Sequence, residues 1–394
     1  MQPTPKLYCS LFIPLLIVLL GYQTAPAPIP DERLVIQLRW CKAYPAETGK
    51  NIEKGLAWTL SFLGAELPKG SLPQVLRSTE DPAILEVHLE KAGFNATAQT
   101  ALADILDSLK RTPEYERFCS VDLGRFVVLT VHSPFHYYRI TGLPRTLASF
   151  RSIHGMNEQS TRHFPVIRSS IAVGNRDITF QTGASPRDWA FIAAEGYGRM
   201  EYGNFTPTEY EVFDVMPNGQ LRFGIYDQNG HWETGTPAYL GEAGKPGNCM
   251  WCHESSVQTL FSPTFDVPGQ LTARAFKDTV RLLNTTLKQY QRTRNSEVEF
   301  DSVYAHTQHE LLYITFMEPS AQRIANEWGT TTGEVEYRLR YAPTHRNAEF
   351  PWMGLLYRRQ DVDALAPVRA TPIPGSVRET ATFEPDFFVK KPNK

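Results

Sequence analysis

The feature that most constrains this fold is a change in the spacing of apolar residues, from helical to alternating and back. From about 165 to 240 the repeat is two. Ile178 and Phe180 alternate with Thr179 and Gln181, Tyr210 and Val212 with Glu209 and Glu211, and Leu221, Phe223 and Ile225 continue the pattern. A repeat of two belongs to an extended strand, whose successive side chains point to opposite faces. Asn218-Gly219 separates the last two runs, and such a pair suits a two-residue hairpin because both positions tolerate positive φ. Asn229-Gly230 makes a second turn before His231-Trp232. The stretch predicts an antiparallel meander over 165–247.

The flanking regions carry helical spacing. Ahead of the meander, Ile52, Leu56, Leu60 and Leu63 recur on one face, with Asn51 as the expected cap and Gly64 as the stop. Leu102, Ile105, Leu106 and Leu109 form a second stripe, and Pro68, Gly70 and Pro73 mark the loop between them. Phe126 to Val131 reads as a buried strand, whereas 133–163 shows no assignable pattern. Beyond the meander, Phe276, Val280, Leu283, Leu287 and Tyr290 share a helix face, and Leu311 to Met317 is a solid apolar run that suits helix or strand. Pro319, Ile324, Trp328 and Gly329 outline a short helix, and Thr331 and Glu334 a capping box for the next. The expected fold class is α+β: a mainly helical region over 35–164, an antiparallel β region over 165–247, and a helical C-terminal region over 248–394.

Directly after the meander stands Cys249-Met250-Trp251-Cys252-His253. Two thiols three positions apart can each add to one vinyl group of a haem, and the adjoining histidine can ligate the iron. Pro246-Gly247 would stop the preceding element and Asn248 would cap the motif helix, expected to extend through Val257 to Phe261. With 5 Cys and 10 His in 394 residues, chance gives roughly 0.002 such matches. A zinc site would need two further ligands, and no second cysteine pair exists outside the motif. A redox C-x-x-C would be expected to follow a strand and open the helix of a βαβ unit. An inert pair or a structural disulfide is the third alternative.

The motif resembles that of c-type cytochromes, over these five residues and not over the chain. The resemblance implies one covalent haem c, anchored by Cys249 and Cys252 through a c-type haem maturation machinery, with His253 as the proximal iron ligand. A Met or His on the opposite side would saturate the iron for electron transfer; an empty position would leave it open to small molecules. Distal candidates are His132, His136, His154, His163 and Met216 before the motif, and His306, His309, Met317, His345 and Met353 after it. The loop-like stretch from Pro343 to Met353 carries both ligand types, so His345 or Met353 is favoured. Small soluble cytochromes of this class place the motif near the start of the chain, whereas here a sheet precedes it. That order is similar to the cytochrome P460 family, whose five-coordinate haem oxidises small nitrogen compounds. In that family, however, the motif lies close to the C-terminus, and its cross-linking lysine has no assigned counterpart here.

Lys6 and the apolar stretch from Leu7 to Tyr22 read as a signal peptide, with an uncleaved membrane anchor as the alternative, over 1–24; a Pro-rich tether spans 25–34. Either way the body is expected to be exported and periplasmic. In an oxidising compartment the two leftover cysteines, Cys41 and Cys119, form the candidate disulfide. A net charge of −2 without a basic run argues against nucleic acid as a partner. Two motifs fail. His309-Glu310 begins a zinc-protease pattern, but Tyr313 occupies the second histidine position; Gly196-Tyr197-Gly198 lacks the third glycine of a dinucleotide loop. The expected function is therefore an exported single-haem cytochrome exchanging electrons with a periplasmic or membrane redox partner. The alternative is a haem enzyme or gas sensor with an open distal site.

Overall fold

The computed structural model describes residues 31–373 apart from 170, 171, 173, 242, 243, 260, 262–265, 267, 301 and 302, together with 375 and 384. The expected signal or anchor segment and most of the tether lie outside the described residues. The tether's last four residues, Asp31–Leu34, form a 3-10 turn held by Arg33, whose guanidinium reaches Asp107 at 2.6 Å. No helix of the described residues is long and apolar enough to cross a membrane.

The architecture is α+β, and the first third carries more β structure than its sequence suggested. Strands β1 (Val35–Arg39), β2 (Leu76–Ser78), β3 (Ile84–His88) and β4 (Val121–Asp122) form a sheet in the order β2-β3-β1-β4. Only the β1–β4 pair is parallel. The strands have at most five residues, too few for alternation to stand out against neighbouring turns. The parallel pairing sets Leu38 opposite Val121, so Cys41 and Cys119 lie beyond opposite ends of the pair. Both are free thiols, which corrects the expected disulfide: a bridge needs Cα atoms within about 7 Å, and offsets along strands accumulate at about 3.3 Å per residue.

The Gly49–Phe62 helix is capped by Thr48, whose hydroxyl accepts from the Asn51 amide, so Asn51 is the third helical residue and not the cap. Ala96–Lys110 forms as expected, capped by Asn95. The supposed strand at Phe126 lies instead in a helix, Leu123–Val131, started by Asp122, whose carboxylate accepts from the amides of Gly124 and Arg125. All nine of its residues are buried, so its periodicity is invisible in the sequence. It packs on the Val303–Met317 helix at Gly124, where a Cβ would stand 2.3 Å from that of Phe316. The unassigned stretch holds two helices, Pro134–Thr141 and Leu147–Ile153.

The meander is present, with β5 (Arg162–Val166), β6 (Arg176–Gln181), β7 (Ala190–Tyr197), β8 (Thr206–Val215) and β9 (Leu221–Asp227) paired in sequence order. Its register decides which residues share a face. Phe180 pairs with Phe191, Phe191 with Phe213 and Phe213 with Phe223, a phenylalanine row across four strands. Arg176 pairs with Glu195 and Glu195 with Glu209, a charged row at the other end of the same face. One hydrophobic core joins this sheet to the helices, and a small second core gathers around Ile324, Trp328, Val335 and Leu339 near the C-terminus.

Candidate functional site

The C-x-x-C-H motif is a short helix, Cys249–His253, entered from a 3-10 turn at Pro246–Asn248 and lying against the phenylalanine end of the sheet. Asn248 continues the helical path and caps nothing; its buried side-chain oxygen has no hydrogen-bond partner. The expected extension to Phe261 does not occur. Glu254 takes φ +48° and ψ −109°, a conformation that costs a non-glycine residue about 1–3 kcal/mol and that ends the helix immediately after the histidine.

The segment beyond Glu254 is held from outside. The Asn284 side chain exchanges two 2.8 Å hydrogen bonds with the backbone of Val257. Gln291 donates to the carbonyl oxygens of Gly219 and Ser255 at 2.9 and 2.8 Å. Both project from the long Ala273–Arg294 helix. That helix therefore fixes the residues after His253, whose strained turn would otherwise relax. Trp251, between the two motif cysteines, donates its indole N–H to the Tyr313 hydroxyl.

The His253 ring sits between Phe213 and Phe223, with centroids 5.4 and 5.5 Å away. Its Nδ1 is buried without a hydrogen-bond partner. Burial pushes the imidazole down to about 4, so it is neutral at pH 7 and carries a lone pair. Burial also raises the Cys249 thiol well above its ordinary value, and the Glu211 carboxylate adds to the shift; Cys252, which is exposed, is raised by the same two effects. Cys249 and His253 line one cavity with the sheet face (Ile178, Phe191, Phe213, Phe223) and with Phe261 and Phe276. The enclosed space is about 90 Å³, below the roughly 300–1,000 Å³ of a cavity that buries a whole small molecule.

At the other end of this face the walls are charged. Arg176 pairs with Glu195 and, at 3.2 Å, with Glu211. Among the described residues, the group of three acids, cysteines or histidines whose donor atoms all lie within 4.8 Å of one another is Glu195, Glu209 and Glu211. Burial, and then the neighbouring Glu211, raise the Glu209 carboxyl to about 8.

The favoured distal candidates do not join His253. His345 pairs as a strand residue with Leu356 and faces Glu318 at 3.5 Å; Met353 is buried in the hydrophobic core. Neither lines the cavity, and its walls carry no methionine and no second histidine among the described residues. His154 is engaged by Asp214 at 2.8 Å and His163 by Asp177 at 3.5 Å, while His136 bonds Leu129 O and Ser133 at 3.0 Å. Sequence reasoning missed Phe213 and Phe223 as the walls around His253, and Asn284 and Gln291 as its supports. Phe223 was legible as a strand residue; the two amides left no signal.

Two thiols three positions apart and a neutral imidazole with an orphaned nitrogen are the donor set that a covalent haem requires, and the apolar cavity beside Cys249 and His253 supplies one wall for it, so the donor residues present fit that group. No model of a known protein family matches this chain, and neither does any curated protein or solved structure.

Proposed function

We propose that this chain is an exported protein carrying one covalently attached haem c, with Cys249 and Cys252 as anchors and His253 as the proximal ligand. The observation that carries this reading is the orphaned, neutral His253 imidazole beside Cys249 on the wall of a cavity faced with phenylalanines. When bound, the haem would supply a redox-active iron. The chain's own residues anchor it, hold the imidazole unprotonated, and exclude water with the Phe213–Phe223 side of the sheet. A single haem of this kind serves either exchange of electrons with a periplasmic or membrane partner or binding of a small molecule at the iron.

Of the two uses of a single haem, the cavity favours the one with an open coordination position. Its described walls offer no methionine or second histidine to oppose His253, which supports small-molecule binding or turnover over a saturated electron carrier. An absorption spectrum of the protein made in a host with c-type haem maturation tests both statements. A pyridine haemochrome of the denatured protein should show covalent haem, lost in Cys249→Ala/Cys252→Ala. The reduced native protein should bind CO. Absence of covalent haem would overturn the haem reading; a low-spin spectrum indifferent to CO would restore the electron carrier.

A further inference from the structure

Tyr313, which receives the Trp251 indole N–H, also packs against His132 and His309, at centroid distances of 4.0 and 5.3 Å. His306 and His309 are three positions apart on the Val303–Met317 helix, and therefore neighbours on its surface. His132 ends the Leu123–Val131 helix, which packs on the same element. The three imidazoles are 4%, 6% and 0% exposed for His132, His306 and His309. Trp58 walls the group, 5.3 Å from His306 and 5.1 Å from His309.

The proton on His309 can be assigned. Thr59 gives its hydroxyl hydrogen to the Gly55 carbonyl at 2.7 Å, so towards His309 Nδ1, also at 2.7 Å, it can only accept. Nδ1 therefore carries the hydrogen, and Nε2 is a bare lone pair. That Nε2 is buried with no partner, as are His306 Nε2 and both ring nitrogens of His132. A buried polar atom left unpaired costs about 1–3 kcal/mol, and here four of them gather around one tyrosine and one tryptophan. An imidazole held by one nitrogen with the other left bare is the usual arrangement of a metal-ligating histidine.

We propose that His306 and His309 are the first two ligands of a transition-metal site, with His132 as the third, separate from the C-x-x-C-H centre. Imidazole donors without carboxylate or thiolate suit a borderline first-row ion such as Zn²⁺ or Cu²⁺. The three nitrogens do not converge within 4.8 Å as the glutamate trio does; His306 and His309 are set by their helix, and metal binding requires the His132 ring, packed 4.0 Å from Tyr313 and against Gly247, to turn toward them.

The test uses the full chain as purified, stripped with EDTA and titrated with Zn²⁺. One equivalent should bind, and affinity should fall at least about tenfold in His306→Gln, in His309→Gln and in Thr59→Val, which removes only the orienting bond. X-ray absorption of the zinc-loaded wild type, which needs no variant to fold, should show imidazole nitrogen in the shell. Failure to bind Zn²⁺, unchanged affinity in all three variants, or a shell of carboxylate oxygen (Glu195, Glu209, Glu211) or thiolate (Cys249, Cys252) would each overturn the proposal. Covalent haem is read separately by haemochrome, so the two readings fail independently.

Discussion

Two buried polar regions share the Val303–Met317 helix, and they are built on opposite terms. Around Phe316, Arg125, Arg323 and Arg359 approach the ring with guanidinium carbons 5.1, 5.6 and 4.0 Å from its centroid. Each of these charges faces an opposite one: Arg125 meets Glu114 at 3.1 Å, Arg323 meets Asp122 at 2.8 Å and Arg359 meets Glu327 at 2.9 Å. Around Tyr313, three residues earlier in the same helix, the buried groups are neutral imidazoles with bare nitrogens. The first region sets an opposite charge beside each arginine and joins the C-terminal segment to the core, although Arg125 Nε, Arg323 Nε, Glu114 Oε2 and Asp122 Oδ2 have no hydrogen-bond partner. The second buries neutral rings with bare nitrogens. Burial and orphaned polar atoms occur in both; what differs is that one region pairs charges and the other gathers neutral donors.

The sharpest way to break the comparison is to remove one charge from the first region. Burial pushes the Asp122 carboxyl up, but Arg323, Arg39, Arg359 and Arg125 outweigh it and hold the group below its ordinary value. Asp122→Ala should cost about 3–5 kcal/mol, because it strands the Arg323 charge in the interior and removes a helix cap. Urea denaturation measures this. A cost under about 1 kcal/mol would mean that water already screens the network.

Gly124→Ala disturbs the same region without touching a charge. Its new Cβ would meet Phe316 at 2.3 Å and the Leu312 carbonyl at 2.9 Å, and overpacking of this kind costs about 1–3 kcal/mol. The expected order, Asp122→Ala above Gly124→Ala in urea midpoint loss, tests whether charge pairing or helix contact dominates.

The charged end of the meander falls between the two regions. Glu209 is held at about 8, above its ordinary 4.5, first by burial and then by Glu211. The folded chain then keeps a proton on Glu209 between these two values, while the unfolded chain has lost it. Stability should therefore fall as pH rises through that window, by up to about 1.4 kcal/mol per pH unit. Glu209→Gln should flatten this slope and be relatively more stable at pH 8 than at pH 5. Parallel slopes for the two proteins in denaturant titrations across that range would rule it out.

These regions also show what the sequence could and could not disclose. The β8–β9 hairpin was legible from Asn218-Gly219 and two alternating runs, although its connection runs over five residues, 216–220, with positive φ at Gly219 and not at Asn218; the motif was legible from its own five residues. Phe126–Val131 was not, because an element buried on every side shows no period. Cys41 and Cys119 suggested a bridge by count alone, and the parallel register of β1 and β4 decided against it. His345 and Met353 were chosen because a loop can carry a ligand to a haem; nearness to His253 is a tertiary property that spacing does not encode. His309 was visible as half of a failed protease motif and as one of ten distal candidates, and Thr59, which fixes its proton, is 250 residues away in sequence.

The smallest expected effect is the most informative about the second region. His306→Leu removes an aromatic edge contact with Trp58, worth about 0.5–1.5 kcal/mol. It also removes a buried nitrogen with no partner, whose desolvation costs about 1–3 kcal/mol. The two nearly cancel, so in EDTA the variant should lie within about 1 kcal/mol of wild type by urea denaturation. A loss above about 2 kcal/mol would mean that this nitrogen is bonded in the free protein, and His306 would then belong with Asp122 as a structural group. The contrast should appear when Zn²⁺ is added at about a hundred times its dissociation constant: wild type should gain about 2.7 kcal/mol and His306→Leu a fraction of that. An imidazole that contributes little to stability until an ion arrives acts as a ligand, whereas each arginine of the network already has its counter-charge within the chain.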